Sequence, residues 1–412
     1  MFCVVLCLCG CNSFTSKNNI TSLLSAPKLN ENESNIVAAI EGYLGEDINL
    51  RYSKNQGYSA PVQLMDVDAD GNYEAVVFYY APNKGANIRF ALLSYVDDRW
   101  NIVDDKEGLG TEVFYFDTIT LPEVSGKQIM VGYQSVNIDE NFFVTYFTDA
   151  EKDLPDYVER CQNIVTGDIT GNGYNDVVLT KVASGKYVYI SVLSFTDELS
   201  FKNICNKTLK YPNIEIAQLV VNKLTDGRTA VFADYTDKHN RMYTEIYSFE
   251  NGRMISCIED GIVVKNWEHE PVIVSRDIDA DGYLETATVM QPQHPEEMPS
   301  FKYIEWKDCT QHEPEKIYYG VFDVRENIFM AIPDILRDAV YTSELENGFE
   351  IKNKEDDTTL IRVVETETVA KTEQDEYLHT VHLGTKMWNI ECNTVMDMDQ
   401  VEYVYKNITD FY

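Results

Sequence analysis

One nine-residue pattern occurs three times in this chain, and it limits the fold more than any other feature. The copies are Asp66-Val-Asp68-Ala-Asp70-Gly71-Asn72-Tyr-Glu74, Asp168-Ile-Thr170-Gly-Asn172-Gly173-Tyr-Asn-Asp176 and Asp277-Ile-Asp279-Ala-Asp281-Gly282-Tyr283-Leu-Glu285. Each runs straight into an apolar stretch, such as Ala75-Val-Val-Phe78 or Val177-Val-Leu179. A pattern that returns at a steady interval points to stacked modules of like structure. Two weaker copies fall midway, around 117–133 and 220–232, where a turn glycine and an apolar run persist without the carboxylates. The five turn glycines, Gly71, Gly126, Gly173, Gly227 and Gly282, are spaced 55, 47, 54 and 55 residues apart.

The rest of each unit also recurs. Phe90–Tyr95 precedes Asp97-Asp98, Tyr189–Phe195 precedes Thr196-Asp197, and Tyr243–Phe249 precedes Glu250-Asn-Gly252. Apolar and polar residues alternate in these runs, which are rich in β-branched and aromatic side chains. That is the signature of strands, with hairpin turns between them. About four strands per fifty residues is the anatomy of a propeller blade, whereas a helical solenoid would need a 3.6-residue period. The expected fold is therefore mainly all-β, a β-propeller of about five to seven four-stranded blades over residues 31–330. A short N-terminal helix is predicted over Asn32–Gly45, with Ile36, Ala39, Ile40, Tyr43 and Leu44 on one face. The tail, 331–412, reads as a strand-rich C-terminal segment, either a small α+β cap or the blades that close the ring. Within it, Pro333–Val340 suggests a brief helix, and strands are predicted at 348–352, 359–366, 377–383, 387–390 and 401–405.

Charge excludes several function classes. The chain has 34 Lys and Arg against 68 Asp and Glu, for a net charge of −34. Phosphates would be repelled, so nucleic acid and a polybasic membrane patch are both ruled out. No glycine-rich phosphate loop links a strand to a helix, which argues against nucleotide binding. Hydrophobic residues make up 44% of the chain, enough for a sizeable core rather than a disordered chain. No stretch beyond the N-terminus approaches the ~18 apolar residues of a membrane helix.

Signs of catalysis are sparse. The six histidines, at 239, 269, 294, 312, 379 and 382, form no HExxH motif, and no serine lies in GxSxG. His379 and His382 would face opposite sides of a strand. Trp100, Trp267, Trp306 and Trp388 read as core residues before they read as sugar platforms. Of nine cysteines, Cys3, Cys7, Cys9 and Cys11 crowd the N-terminus. Cys161, Cys205, Cys257, Cys309 and Cys392 are scattered and odd in number, which is no disulfide framework. Their first three gaps, 44, 52 and 52, suggest equivalent core positions in a repeat.

The N-terminal Leu8-Cys-Gly-Cys11 follows a short apolar run and resembles a bacterial lipobox. That resemblance implies a signal peptide over 1–11, diacylation of Cys11, and a flexible Ser/Asn/Thr-rich tether over 12–30. It further implies that the fold sits in water at the extracellular face of a bacterial cytoplasmic membrane, held there by its lipid alone.

The Asp-x-Asp-x-Asp-Gly-x-x-Glu pattern carries chemistry as well. Calcium takes six to eight oxygens at ~2.4 Å, and alternate residues of a tight loop can turn carboxylates inward around it. An EF-hand would need its closing Glu at position twelve, but Val77 stands there, in an apolar strand. The closing carboxylates are then Glu74, Asp176 and Glu285. These loops resemble the FG-GAP/VCBS calcium loops of integrin-type β-propellers, over roughly residues 60–325. By that resemblance the metal sits on the turn joining the first two strands of a blade. The implied ligands in the first loop are Asp66, Asp68, Asp70, Glu74 and the Asn72 carbonyl. In the third they are Asp277, Asp279, Asp281, Glu285 and the Tyr283 carbonyl. The second departs from the pattern: Thr170 and Asn172 replace two aspartates, leaving Asp168 and Asp176 as its charged ligands. Two structural calcium sites are expected, with the second loop a weaker third or a metal-free turn.

Two functional readings follow. The first is a lipid-anchored binding or adhesion module for an extracellular glycan or protein. The second is a surface-attached hydrolase or lyase acting on polysaccharide or peptide. Fold alone does not separate them.

Overall fold

The computed structural model describes residues 30–54, 58, 60–135, 141–148, 154–183, 186–258, 261–264, 271–290, 300–308, 315–367 and 376–411. The predicted first helix is α1 (Glu31–Leu44). Asn30 caps its start, accepting the Glu33 amide while Glu33 accepts the Asn30 amide in return. Gly45 ends it in the left-handed region, at φ 74°. Ile36 and Ile40 are buried, and Tyr43 is exposed.

Six antiparallel sheets follow in chain order. The first holds β1 (Asn49–Arg51), β2 (Val62–Met65), β3 (Glu74–Tyr80), β4 (Arg89–Val96) and β5 (Arg99–Glu107). Both β1 and β2 pair with β3, so together they act as one broken first strand. The second sheet is β6 (Glu112–Ile119), β7 (Gln128–Gln134), β8 (Asn141–Tyr146) and β9 (Tyr157–Cys161). The third is β10 (Asn163–Gly167), β11 (Asp176–Val182), β12 (Tyr187–Thr196) and β13 (Ser200–Pro212). The fourth is β14 (Glu215–Lys223), β15 (Thr229–Thr236), β16 (Met242–Glu250) and β17 (Arg253–Ser256), with β18 (Val263–Val264) also on β16. The fifth opens on an Arg276–Glu285 bridge and continues through β19 (Thr286–Val289), β20 (Phe301–Asp308), β21 (Glu315–Asp323) and β22 (Ile328–Ala331). The sixth holds β23 (Val340–Leu345), β24 (Gly348–Asn353), β25 (Thr359–Thr366), β26 (Leu378–Leu383) and β27 (Lys386–Cys392), ordered β23-β24-β25-β27-β26. The chain then forms α2 (Met398–Lys406) and β28 (Ile408–Asp410), which returns to pair with β22.

The hairpins have the expected turn chemistry. Asp97 and Asp98 lie at φ 55° and 59°, and Asn251 and Gly252 at 50° and 78°. Two successive left-handed residues make the primed turn that suits strand twist.

Packing runs sheet to sheet. Phe78 and Phe90 of the first sheet meet Phe116, Val131 and Tyr133 of the second. Met130 and Phe143 on the second sheet's other face meet Val177, Leu179 and Leu193 of the third. Val178 and Ile190 then meet Val231 and Tyr235 of the fourth, whose Phe232 and Ile246 meet Leu284, leading into the fifth. Val321 and Met330 of the fifth meet Ile351, Ile361 and Trp388 of the sixth. This double-sided burial explains why β3, β7 and β11 are nearly continuous apolar runs. The sequence expectation of a mainly-β propeller-type fold with blade-like antiparallel sheets is met, and the described residues form six such sheets.

The two ends differ from the middle. Ile36 and Ile40 of α1 cover the free face of the first sheet, on Ala75, Val77 and Tyr79. In the sixth sheet, Ile361 and Val363 are buried while Arg362 is exposed and Val364 and Thr366 are half-buried, so its outer face is the less covered one. Among the described residues, no apolar cluster joins the first sheet to the sixth.

Two local expectations are corrected. Residues 401–405, read as a strand, belong to α2: Asp397 and Gln400 form a capping box, and Val401 and Val404, one helical turn apart, are the buried pair. Residues 333–340, read as a brief helix, form only a 3₁₀ turn at Asp334–Leu336 before Val340 begins β23. Trp306 and Trp388 lie in the core, and Trp100 is half-buried with Nε1 donating to Asn32 Oδ1 at 2.9 Å. Trp267 lies outside the described residues. Cys161, Cys205 and Cys257 fall on or just after the last main strands of three successive sheets, but only Cys161 is buried. All three are free, as is Cys392, and Cys309 lies outside the described residues.

Candidate metal centres

The three acidic loops occupy one place in the fold. Each joins the first strand of its sheet to the second: β2 to β3, β10 to β11, and the Arg276 bridge to β19. The weak repeats at 120–127 and 224–228 join β6 to β7 and β14 to β15 in the same way. The loops also share a backbone. Position six, Gly71, Gly173 and Gly282, lies at φ 91°, 86° and 93°. Position four, Ala69, Gly171 and Ala280, lies at φ 65°, 72° and 62°. An alanine held left-handed costs about 1–2 kcal/mol, so something in the loop must offset it. The motif alone revealed position six. Position four was missed, although Gly171 was its one visible trace.

Each loop is braced by its first and last carboxylates. Asp66 accepts from the Gly71 amide at 3.2 Å. Asp168 accepts from Asn172 and Gly173 at 3.0 and 2.9 Å, and Asp277 from Asp281 and Gly282 at 3.1 and 2.8 Å. At position nine, Glu74 accepts from Val67 at 3.0 Å and Glu285 from Ile278 at 3.0 Å. Asp176 accepts from Ile169 and Thr170 at 3.1 and 2.9 Å. All three closing carboxylates are buried.

Burial without a counter-charge is unfavourable for a carboxylate. Glu285 is pushed up to about 8, first by desolvation, with Asp279, Asp281 and Asp277 adding repulsion. Glu74 is raised by desolvation, with Asp68, Asp70 and Asp66 behind it. Asp176 and Asp279 are raised by desolvation too. Asp70 is lowered, because the Asn72 backbone and side-chain N–H groups donate to it.

Carboxylate oxygens of Asp66, Asp68 and Asp70 lie within 4.8 Å of one another, and so do those of Asp277, Asp279 and Glu285. Asp66 Oδ1 is buried without a hydrogen-bond partner. A hard cation with an all-oxygen shell would satisfy such an arrangement. The two groups are not identical: Glu74 stands outside the first and Asp281 outside the second. Asn72 and Tyr283 occupy position seven, with the Asn72 side chain donating to Asp70 at 3.0 Å. In the second loop no three carboxylates converge among the described residues. Asn172 Oδ1 accepts the Tyr174 amide at 2.8 Å, and Thr170 stands where the other loops carry an aspartate.

Other buried acids are fully engaged. Glu245 takes hydroxyls from Tyr235 and Tyr247 and the Lys210 amide, and Asp234 takes Thr244 and Ser275. Nothing in the alternating sequence around them set these two apart. His379 is exposed and stacks on Tyr405 at 4.9 Å. His269, His294 and His312 lie outside the described residues, as does Cys11.

No family model matches the chain, and no curated protein matches it. Among solved structures, the chain is similar to the Dos1 propeller, at 10% identity and a TM-score of 0.35, covering 69% of this chain and 79% of that one. It is also similar to the AfRom2 CNH domain, at 12% identity and a TM-score of 0.27, covering 85% and 100%. Both likenesses are loose.

Proposed function

We propose that this chain is a calcium-stabilised binding module on a propeller-type scaffold, displayed at the outer face of a bacterial cytoplasmic membrane by a lipid on Cys11. One observation carries the calcium reading: two loops at equivalent places gather three carboxylates each, and the buried closing acid of each, Glu74 and Glu285, is raised by desolvation and by its acidic neighbours. In the first loop Asp66, Asp68 and Asp70 would hold the ion, and in the third Asp277, Asp279 and Glu285. The ion would supply positive charge and hold the loops at one end of the sheets. The second loop is braced by its own hydrogen bonds and would hold metal weakly. The reading as a binding module rests on stiff sheets that present loops and an open outer face, and its ligand is an extracellular glycan or protein.

Thermal melting with EDTA and with added calcium, at neutral pH and low salt, tests the metal. A ligand at about a hundred times its Kd stabilises by about 2.7 kcal/mol, so calcium should raise the melting temperature by several degrees. An identical melt in both conditions rejects occupied sites. For the anchor, the Cys11→Ala protein should leave the membrane fraction; retention there would reject lipidation at Cys11.

A further inference from the structure

The outer face of the sixth sheet carries a polar cleft of about 530 Å³ that the metal loops do not touch. Its floor is set by strand register. Arg362 pairs with Glu391, which pairs with Leu378, in one row across β25, β27 and β26. Val364 pairs with Asn389, which pairs with Thr380, in the next row. Tyr377 and Asn393 stand at the rim.

The charges in this cleft are already arranged. Arg362 donates to Glu350 through Nε at 2.8 Å and Nη2 at 2.7 Å, and shares that carboxylate with Lys352 at 3.2 Å. Glu391 is exposed and has no hydrogen bond or ion pair among the described residues. Asn389 accepts the Thr380 hydroxyl at 2.6 Å, which leaves its amide N–H groups to donate outward. The floor thus offers a carboxylate acceptor, an amide donor and a guanidinium edge, with Val364 and Leu378 at opposite corners, one on each strand flanking β27. An anion would meet Glu391, Glu350 and a chain of net charge −34.

We propose that this cleft binds a neutral sugar ring. Sugar hydroxyls donate and accept at once, so they use the acceptor and the donors together. The C–H face of the ring would lie against Leu378 at the edge of the cleft. This assignment deepens the reading of the chain as a binding module, and rests on it.

The cleft between the second and third sheets is a built-in control. It is smaller, about 370 Å³, and its Glu159 is taken by Lys181 at 3.1 Å.

The test uses the full chain with three probes: neutral methyl glycosides and their β-linked disaccharides, a pentalysine peptide, and a sulfated disaccharide. Binding is read by saturation-transfer NMR and calorimetry. Saturable binding in the millimolar range is expected for a neutral saccharide only. Glu391→Gln and Asn389→Ala, each checked for an unchanged melt, should weaken it by about tenfold, the size of one or two lost hydrogen bonds. Lys181→Ala should leave it intact. Absence of neutral saccharide binding, equal binding by the variants, or preference for pentalysine or the sulfated probe overturns the assignment. Calcium stabilisation is measured on the same samples. If calcium stabilises and no sugar binds, this site alone fails; if sugar binds without any calcium effect, the metal reading fails.

Discussion

The Glu285 carboxyl links pH, metal and stability in a way that can be measured. Its folded value of about 8 stands above an ordinary value of 4.5, chiefly through desolvation. Between those values the metal-free folded state binds a proton that the unfolded state has released. Stability is therefore complete below about pH 4.5 and falls as pH rises through 8. The difference corresponds to roughly 5 kcal/mol at most, and water entering a surface loop would reduce it to a few. Bound calcium requires the ionised carboxylate, so the holo protein should show no such fall. Glu74, Asp176 and Asp279 are shifted the same way and would add to the slope. Glu305, Glu350 and Asp237 are lowered beside basic partners, so their contributions are lost only at acid pH, outside this window. The assay is urea unfolding from pH 5 to 8.5, in EDTA and in excess calcium, for the wild type and Glu285→Gln. The wild type in EDTA should lose stability across the range, while calcium or the substitution should flatten the curve. A metal-free curve that is level or rising, or one that falls equally with calcium, would falsify the reasoning.

Three further outcomes follow from packing. Gly126 lies at φ 70°, and a Cβ there would sit 2.1 Å from the Val67 carbonyl oxygen in the first acidic loop; Gly227 lies at φ 87° with nothing within 4 Å. Gly227→Ala should cost about 1 kcal/mol and Gly126→Ala about 3 or more, by denaturant unfolding; equal costs would contradict the contact. Trp388→Ala empties the core between the fifth and sixth sheets and should cost about 3–5 kcal/mol, read as an earlier melt. Asp397→Ala removes the α2 cap and should cost about 1 kcal/mol, with hydrogen exchange quickening at residues 398–401 first.

The repeat was legible because both of its parts are local. A glycine forced left-handed and a strand buried on both faces leave marks within nine to fifteen residues. The same holds for α1, whose Asn30, Glu33 and Gly45 spell its own boundaries. Residues 401–405 were misread because Val401, Tyr403 and Tyr405 alternate, as a strand would, while the buried pair is Val401 and Val404. The deciding signal was the Asp397–Gln400 box just upstream. The sixth sheet has no glycine motif, and its one-sided burial depends on contacts with the fifth sheet that no local pattern encodes. In the acidic loops, the choice between Asp281 and Glu285 as the third converging acid depends on side-chain direction, which motif spacing does not report. The outer cleft was invisible for a related reason: Arg362, Asn389 and Glu391 are scattered along the chain and meet only through register.

The pairing of β28 with β22 brackets the entire sixth sheet between two neighbouring strands of the fifth. During synthesis, Ile328–Met330 must wait as an open edge until residue 410 emerges. Such an edge is a template for mispairing with another chain. The short apolar run at 328–331 is therefore the segment most in need of protection in a nascent or truncated protein, and ribosome-bound chains halted before residue 400 should aggregate through it.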